Sequence, residues 1–373
     1  MSLARASTPA LVGLACLALA VYAVAEKSVT PVHADAYKFK QDAMRLMSRA
    51  ERAIADAKRD RGLKMDPRND PDGGGMVGPQ FTLITTDRGS QSAKALAAHP
   101  NFAAAVAQML LQAGIRPGDV VAVGMTGSLP GMNLAVLSAC QAVGAAPILI
   151  TSVGASMFGA TDPEMTWLDM ESVCVAKGLW TFRSQAASVG GGGDIGRGLS
   201  PSGHQLIIDA IERNHVARLE SDHVPSAVRM RVAFYDSLAA MRQRPIRLYI
   251  NVGGGVVSLG GSQNGRLIPP GYTRRLAARS YPNHGVVNAM AERGLPLIHL
   301  LQVEKLARDF GITDLSGETV KPGKGLVFIK YKYNMWLVVG AAAVVFASNL
   351  LVLRMDIRHK LLGRPHPERT PLA

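Results

Sequence analysis

Two kinds of hydrophobic spacing alternate along the middle of the chain. The runs DVVAVG (119–124), APILIT (146–151) and PIRLYINV (245–252) are short and apolar and predict buried strands. FTLITT (81–86), WTFRSQAAS (180–188) and LPLIHLL (295–301) extend the series. Between them, apolar residues recur at three- and four-residue steps, predicting helices over 92–114, 130–144, 163–177, 201–214, 224–242 and 303–310. Gly114, Gly144 and Gly178 stand where such helices end. Strands joined through helices are βαβ units, whose parallel sheet is covered on both faces. The expected fold class is therefore α/β, doubly wound around a mostly parallel sheet (Rossmann-like). No fixed-period repeat is present.

The two ends follow a different pattern. Residues 9–25 (PALVGLACLALAVYAVA) and 335–353 are apolar throughout. The second reaches the roughly 20 residues that cross a hydrocarbon core, and Gly340 and Asn349 are tolerated there because a helix satisfies its own backbone. The first has Arg5 before it and the small residues Ala23-Val24-Ala25 at its end, which fits a cleaved signal peptide or an uncleaved anchor. Cys16 does not mark a lipoprotein, because Gly13 stands where a lipobox takes Leu. The expected organisation is a signal or anchor (1–25), a helical linker (26–65), a Gly/Pro loop (66–80), an exported α/β domain (81–320), a transmembrane helix (335–353) and a basic cytoplasmic tail (354–373). Arg354, Arg358, Lys360, Arg364 and Arg369 in that tail favour the inside. The main domain is thus expected at the cell membrane, on its extracytoplasmic side.

Composition narrows the partners. Most of the net charge of +13 falls between the two apolar segments, which suits anionic lipid or an anionic polymer. No basic run interleaves with aromatics, so nucleic acid is not expected. Cys16, Cys140 and Cys174 are the only cysteines and none stands in a C-x-x-C pair, so neither a disulfide framework nor a thiolate metal site is indicated. His204, His215 and His223 lack ligand spacing, and no metal is expected.

Candidate chemistry lies in the loops after the strands: GMTGSLPG, SVGASMFGATDPE, SVGGGGDIGRGLS and NVGGGVVSLGGSQNG. In a parallel sheet these loops share the edge where ligands bind. Glycine leaves no Cβ in a ligand's way, and amides at a helix start make an anion cradle. Gly124, Thr126, Gly127, Ser128, Gly154, Ser156, Asp194, Arg197, Gly253 and Gly254 are the expected ligand contacts, with Ser258 and Asn264 on the same edge. Arg197 suits a carboxylate clamp or a pairing with Asp194. Thr126 or Ser128 as nucleophile, with Asp162, Glu164 or His204 as base, are the catalytic candidates. Against that role, Thr161 with Glu164, or Asp162 with Pro163, suits a helix cap, and His204, which follows SPSG at a helix start and could act as a base near Ser202, reads as an ordinary surface histidine. Asp169 and Glu171 are expected to face solvent. No cofactor is indicated: there is no G-x-G-x-x-G, no G-K-[ST] and no nucleophile elbow around Ser128.

GMTGSLPGMN, SVGASMFGATDPEMTWLDME, GGGGDIGRGLS and INVGGGVVSLGG together resemble the poly-γ-glutamate system protein family, from about Phe81 to the second apolar segment. The resemblance implies a membrane-anchored accessory of poly-γ-glutamate synthesis and export, with the polymer and other subunits of that machinery as partners. It carries over no catalytic residue. The alternative from another class is an exported hydrolase or transferase acting on γ-glutamyl bonds. The absence of an evident nucleophile–base signature favours the accessory.

Overall fold

The computed structural model describes residues 8–70, 73–314 and 316–362. Arg5 and the predicted tail beyond residue 362 lie outside the described residues. Ala34–Phe328 forms one compact unit, and the segments flanking it form a second. The flanking unit opens with α1 (Thr8–Lys27) and β1 (Thr30–His33).

In the larger unit α2 (Tyr37–Asp60) buries Ala43, Met47, Ala50 and Ile54 at three- and four-residue steps, the stripe of an amphipathic helix. Two lysines end in carbonyls rather than water: Lys40 Nζ donates to Val327 (2.9 Å) and Lys58 Nζ to Gly75 (2.7 Å). After the Pro- and Gly-rich loop come β2 (Thr85–Asp87), α3 (Gln91–Ala97), α4 (Asn101–Gln112), β3 (Val120–Thr126), α5 (Pro130–Val143), β4 (Ala146–Ser152) and β5 (Ala155–Ser156). The chain continues through α6 (Trp167–Ala176), β6 (Ala186–Ser188), α7 (Pro201–Arg213), β7 (Ala217–Arg218), α8 (Val224–Met241) and β8 (Ile246–Val252). It closes with α9 (Val256–Leu259), α10 (Asn264–Leu267), β9 (Gly271–Thr273), α11 (Val286–Glu292), β10 (Leu297–Leu300) and α12 (Val303–Asp309).

Seven strands form the main sheet in the order β7-β6-β4-β3-β8-β10-β9. Every neighbouring pair is parallel except β9 with β10. All residues of β3 are buried, as expected for a central strand covered on both sides. Helices α2, α4 and α5 pack together over one face. On the other, α8 and α11 close over Val120, Ala122, Ile148, Ile150 and Tyr249. The chain is thus a mixed α/β protein with a mostly parallel sheet, as the alternation of spacing predicts.

Several expected elements are shorter or divided. FTLITT is not a strand of the main sheet: Phe81 and Leu83 are exposed, and only β2 is extended, paired with β5 outside that sheet. The single helix predicted over 92–114 is two, α3 and α4, because Pro100 has no N–H to continue the ladder and instead starts a new helix. The predicted 163–177 helix begins later. Thr166 and Asp169 form its capping box, not Thr161 with Glu164. Asp162 instead closes a turn by accepting from Glu164 N–H at 2.9 Å.

The flanking unit is completed by β11 (Ile329–Lys332) and α13 (Met335–Leu362). β1 and β11 pair antiparallel, Thr30 opposite Lys332 and His33 opposite Ile329. Helices α1 and α13 pack along each other. The half-buried positions on α1 include Ala10, Leu14, Leu17 and Val21, and those on α13 include Val338, Ala341, Val345, Ser348 and Val352. Steps of three and four residues on both helices are the seam of an antiparallel pair. Both helices are long and apolar enough to cross a membrane.

Candidate functional site

Strands β3, β4, β6 and β8 are parallel, so the four glycine-rich loops leave one edge of the sheet. There the loops are knitted to each other. Gly127 N–H donates to the Ser152 carbonyl (2.8 Å), Gly154 N–H to Val189 (2.8 Å) and Gly253 N–H to Leu300 (2.9 Å). Ser128 N–H donates to Thr126 Oγ1 (3.1 Å), and Ser156 N–H to Ser128 Oγ (2.9 Å). The glycines serve this close approach. A Cβ on Gly127 would sit 2.2 Å from the Val153 carbonyl oxygen, on Gly154 2.6 Å from Thr86 Cγ2, on Gly253 2.6 Å from Thr126 Cγ2, and on Gly124 2.6 Å from the Tyr249 hydroxyl. The start of α5 is closed as well: a Cβ on Gly131 would meet the Ala97 carbonyl at 2.7 Å. Most loop amides expected to face an anion are therefore engaged inside the chain. Gly254 and Arg197 are exposed to solvent.

The loops after β3 and β4 enclose a side chain that spacing and motif do not single out. Lys94, on α3, is buried. Its Nζ donates to the Ser128 carbonyl and, at 2.8 Å, to Ser156 Oγ. Among the described residues it has no ion-pair partner, and burial alone pushes its ammonium down to about 8. Ser128 and Ser156 are half-buried. Gly89 is the close neighbour on the other side, where a Cβ would come within 3.2 Å of Ser156 Oγ and 2.4 Å of the Met157 carbonyl. Thr126, Ser128 and Ser156 are thus brought together. Among the described residues, Asp162, Glu164 and His204 make no hydrogen bond to any of them. His204 packs instead beside Gly196, and Ser200 caps its helix.

Asp194 has an ionic partner, but Arg231 of α8 takes the place expected for Arg197. Arg231 Nη2 donates to Asp194 Oδ2 (2.8 Å), Ser188 Oγ (2.6 Å) and Ser152 Oγ (3.0 Å), while both serines donate to Asp194 Oδ1. Both charged side chains are buried, at 4% and 9% exposure. The pair ties the glycine loop after β6 to the ends of two strands. Asp194 itself adopts φ +67°, a conformation that Asp and Asn tolerate better than most residues.

Asp169 and Glu171 are buried, contrary to the expectation that they face solvent. Asp169 binds Arg213, Thr166 and Asn214. Burial opposes its charge, but these hydrogen bonds win and hold its carboxyl below the ordinary range. Glu171 accepts from Ser184 N–H (2.6 Å), and burial pushes its carboxyl up to about 7. Ser258 and Asn264 also turn inward. The hydrogen bonds run Tyr249 hydroxyl to Ser258 Oγ (2.7 Å), Ser258 to Asn251 Oδ1, and Asn251 Nδ2 to His299 Nδ1 (2.8 Å). Burial pushes His299 down to about 4, so its ring is neutral and Nδ1 accepts. These residues pin the loop after β8 and present nothing to a substrate.

Among the described residues no cluster of His, Cys, Asp or Glu has the makings of a metal site. Cys140 and Cys174 are free and buried, and burial pushes both thiols up to about 12. A feature missed in the sequence is one of charge. Residues 237–291 contain no Asp or Glu and seven arginines. All seven are exposed; Arg242 and Arg244 donate to backbone carbonyls, and four others, Arg266, Arg274, Arg275 and Arg279, lie between β8 and α11. None of the four has an ion-pair partner among the described residues. No protein-family model, curated protein or solved structure matches this chain.

Proposed function

We propose that this protein is a membrane-anchored accessory of poly-γ-glutamate synthesis and export that holds the anionic polymer on its extracytoplasmic, Rossmann-like domain. The polymer is named by the resemblance of the loop motifs, and two membrane-length helices suit the anchoring. The observation that carries polymer binding is the acid-free stretch 237–291, where the four exposed arginines between β8 and α11 have no ion-pair partner among the described residues. A guanidinium is always charged and matches a carboxylate in bidentate geometry, and a γ-linked glutamate chain offers one carboxylate per residue. Arg197 and Gly254 on the strand-end rim would add contacts. The other subunits of the synthesis and export machinery are the proposed protein partners.

The test is binding of poly-γ-glutamate to the full-length protein in detergent micelles. Exposed ion pairs are worth about 0.2–1 kcal/mol each. Replacing Arg266, Arg274, Arg275 and Arg279 together by Gln is therefore expected to weaken binding about tenfold at low salt, and added salt to weaken the wild type. Absence of binding at low salt, or binding indifferent to the four replacements, refutes the proposal.

A further inference from the structure

The geometry points to Ser156 and Lys94 as a nucleophile–base pair for acyl transfer, acting on an ester or amide presented at the strand-end rim. Ser156 Oγ lies 2.8 Å from Lys94 Nζ, and a nucleophile within hydrogen-bond reach of a base held by a third group is the general signature of covalent catalysis. Here the third group is the Ser128 carbonyl, which accepts a second Lys94 N–H. Ser128 Oγ also fixes the Ser156 backbone by accepting its N–H. Serine–lysine pairs are a recognised variant of the serine triad.

The lysine itself is the telling choice. An ammonium buried without a counter-charge is costly. A neutral amide side chain could also donate to the Ser128 carbonyl and the Ser156 hydroxyl. What glutamine or asparagine cannot supply is a basic lone pair. Burial holds the Lys94 amine down near 8, so part of the protein carries it neutral near physiological pH. In that form Lys94 can keep one N–H on Ser128 while its lone pair receives the Ser156 hydroxyl proton. Neither Ser128 nor Thr126 has a comparable partner: each hydroxyl oxygen accepts from a backbone N–H, and neither meets a base.

The step balances without a cofactor. Ser156 Oγ bonds to the acyl carbon as its proton passes to Lys94. The tetrahedral intermediate collapses, the bond to the amine or alcohol breaks, and Lys94 returns the proton to that leaving group. Water then attacks the Ser156 ester, giving its proton to Lys94, and the acid leaves as Ser156 regains its hydroxyl. The pair is independent of the arginines on which polymer binding rests, so either reading can fail alone.

The test is reaction of the full-length protein in detergent with a biotinylated fluorophosphonate, in which the serine oxygen displaces fluoride from phosphorus. Peptide mass spectrometry locates the label. Modification of Ser156 is expected, and Ser156→Ala should abolish it. Lys94→Gln keeps the donors but removes the base, and should slow labelling at least about 100-fold, with cooperative thermal unfolding retained. Wild-type protein that unfolds cooperatively yet is not modified at Ser156 overturns the inference, as does undiminished labelling of folded Lys94→Gln. Should Lys94→Gln not fold, the wild type and Ser156→Ala decide the matter.

Discussion

Asp194→Asn tests how the strand-end rim is held. The replacement keeps the side chain's size and its tolerance of positive φ, so backbone strain is not the variable. It removes the charge facing Arg231, whose guanidinium is 4% exposed. Arg231 Nε already lies buried without a hydrogen-bond partner, leaving little alternative solvation. Breaking a buried ion pair by neutralising one partner costs about 3–5 kcal/mol, most of it the desolvation of the charge left behind. For a unit as large as Ala34–Phe328, each kcal/mol moves Tm by about 2 °C. The expected fall is therefore roughly 6–10 °C, read by calorimetry of the full-length protein in detergent. Adding Arg231→Met to Asp194→Asn removes the stranded charge and should recover about half of that loss or more. A single-variant shift under about 2 °C, or a double variant no more stable than the single one, would falsify the view that the charge pair organises this loop.

Burial raises the Glu171 carboxyl from 4.5 to about 7, so the folded state holds its proton more tightly than the unfolded chain does. Its contribution is fully present below about pH 4.5 and lost as pH rises through 7, amounting to roughly 3 kcal/mol. Urea unfolding should show that decline in the wild type and a flatter profile in Glu171→Gln, and matching profiles would contradict it. Gly127→Ala drives a methyl to 2.2 Å from the Val153 carbonyl oxygen and should cost about 1–3 kcal/mol or more. Gly254→Ala meets nothing nearer than 3.6 Å and should stay within about 0.5 kcal/mol; equal Tm values for the two variants would reject packing as the reason for Gly127. The seam between α1 and α13 predicts that α1 is retained as an anchor. Intact mass of protein purified from membranes should include it, and a mature chain beginning at Glu26 would exclude the helix pair.

The central sheet was legible because β3, β4 and β8 are covered on both faces, which forces unbroken apolar runs into the sequence. Helices α7 and α8 were legible through periodicity. FTLITT misled because β-branched residues at an unpaired stretch look like those in a strand; its Phe81 and Leu83 carry no burial signal that spacing can reveal. Pro100 did stand in the sequence as a break between α3 and α4, and the surrounding alanine-rich periodicity masked it. The strand-end edge could be placed from topology, but not what fills it. A glycine that admits a ligand and one that admits a neighbouring carbonyl read alike. Lys94, Asp169, Glu171 and Arg231 were passed over because charged residues in helices are usually solvated. Their burial depends on which loop crosses them, and that is settled by contacts far along the chain. The acid-free run of arginines needed only counting.

The pairing of Thr30–His33 with Ile329–Lys332 also sets a timetable. A ribosome releases the first strand of that clasp long before the second exists, and everything from Ala34 to Phe328 must be made in between. Ala34 N–H finally meets the Phe328 carbonyl at 2.9 Å, so the two ends of the larger unit close on each other only when its last residue arrives. Until then the early strand keeps an open edge, which invites strand pairing with other nascent chains. Assembly of this protein is therefore exposed to error during synthesis at its beginning, and is secured only near its end.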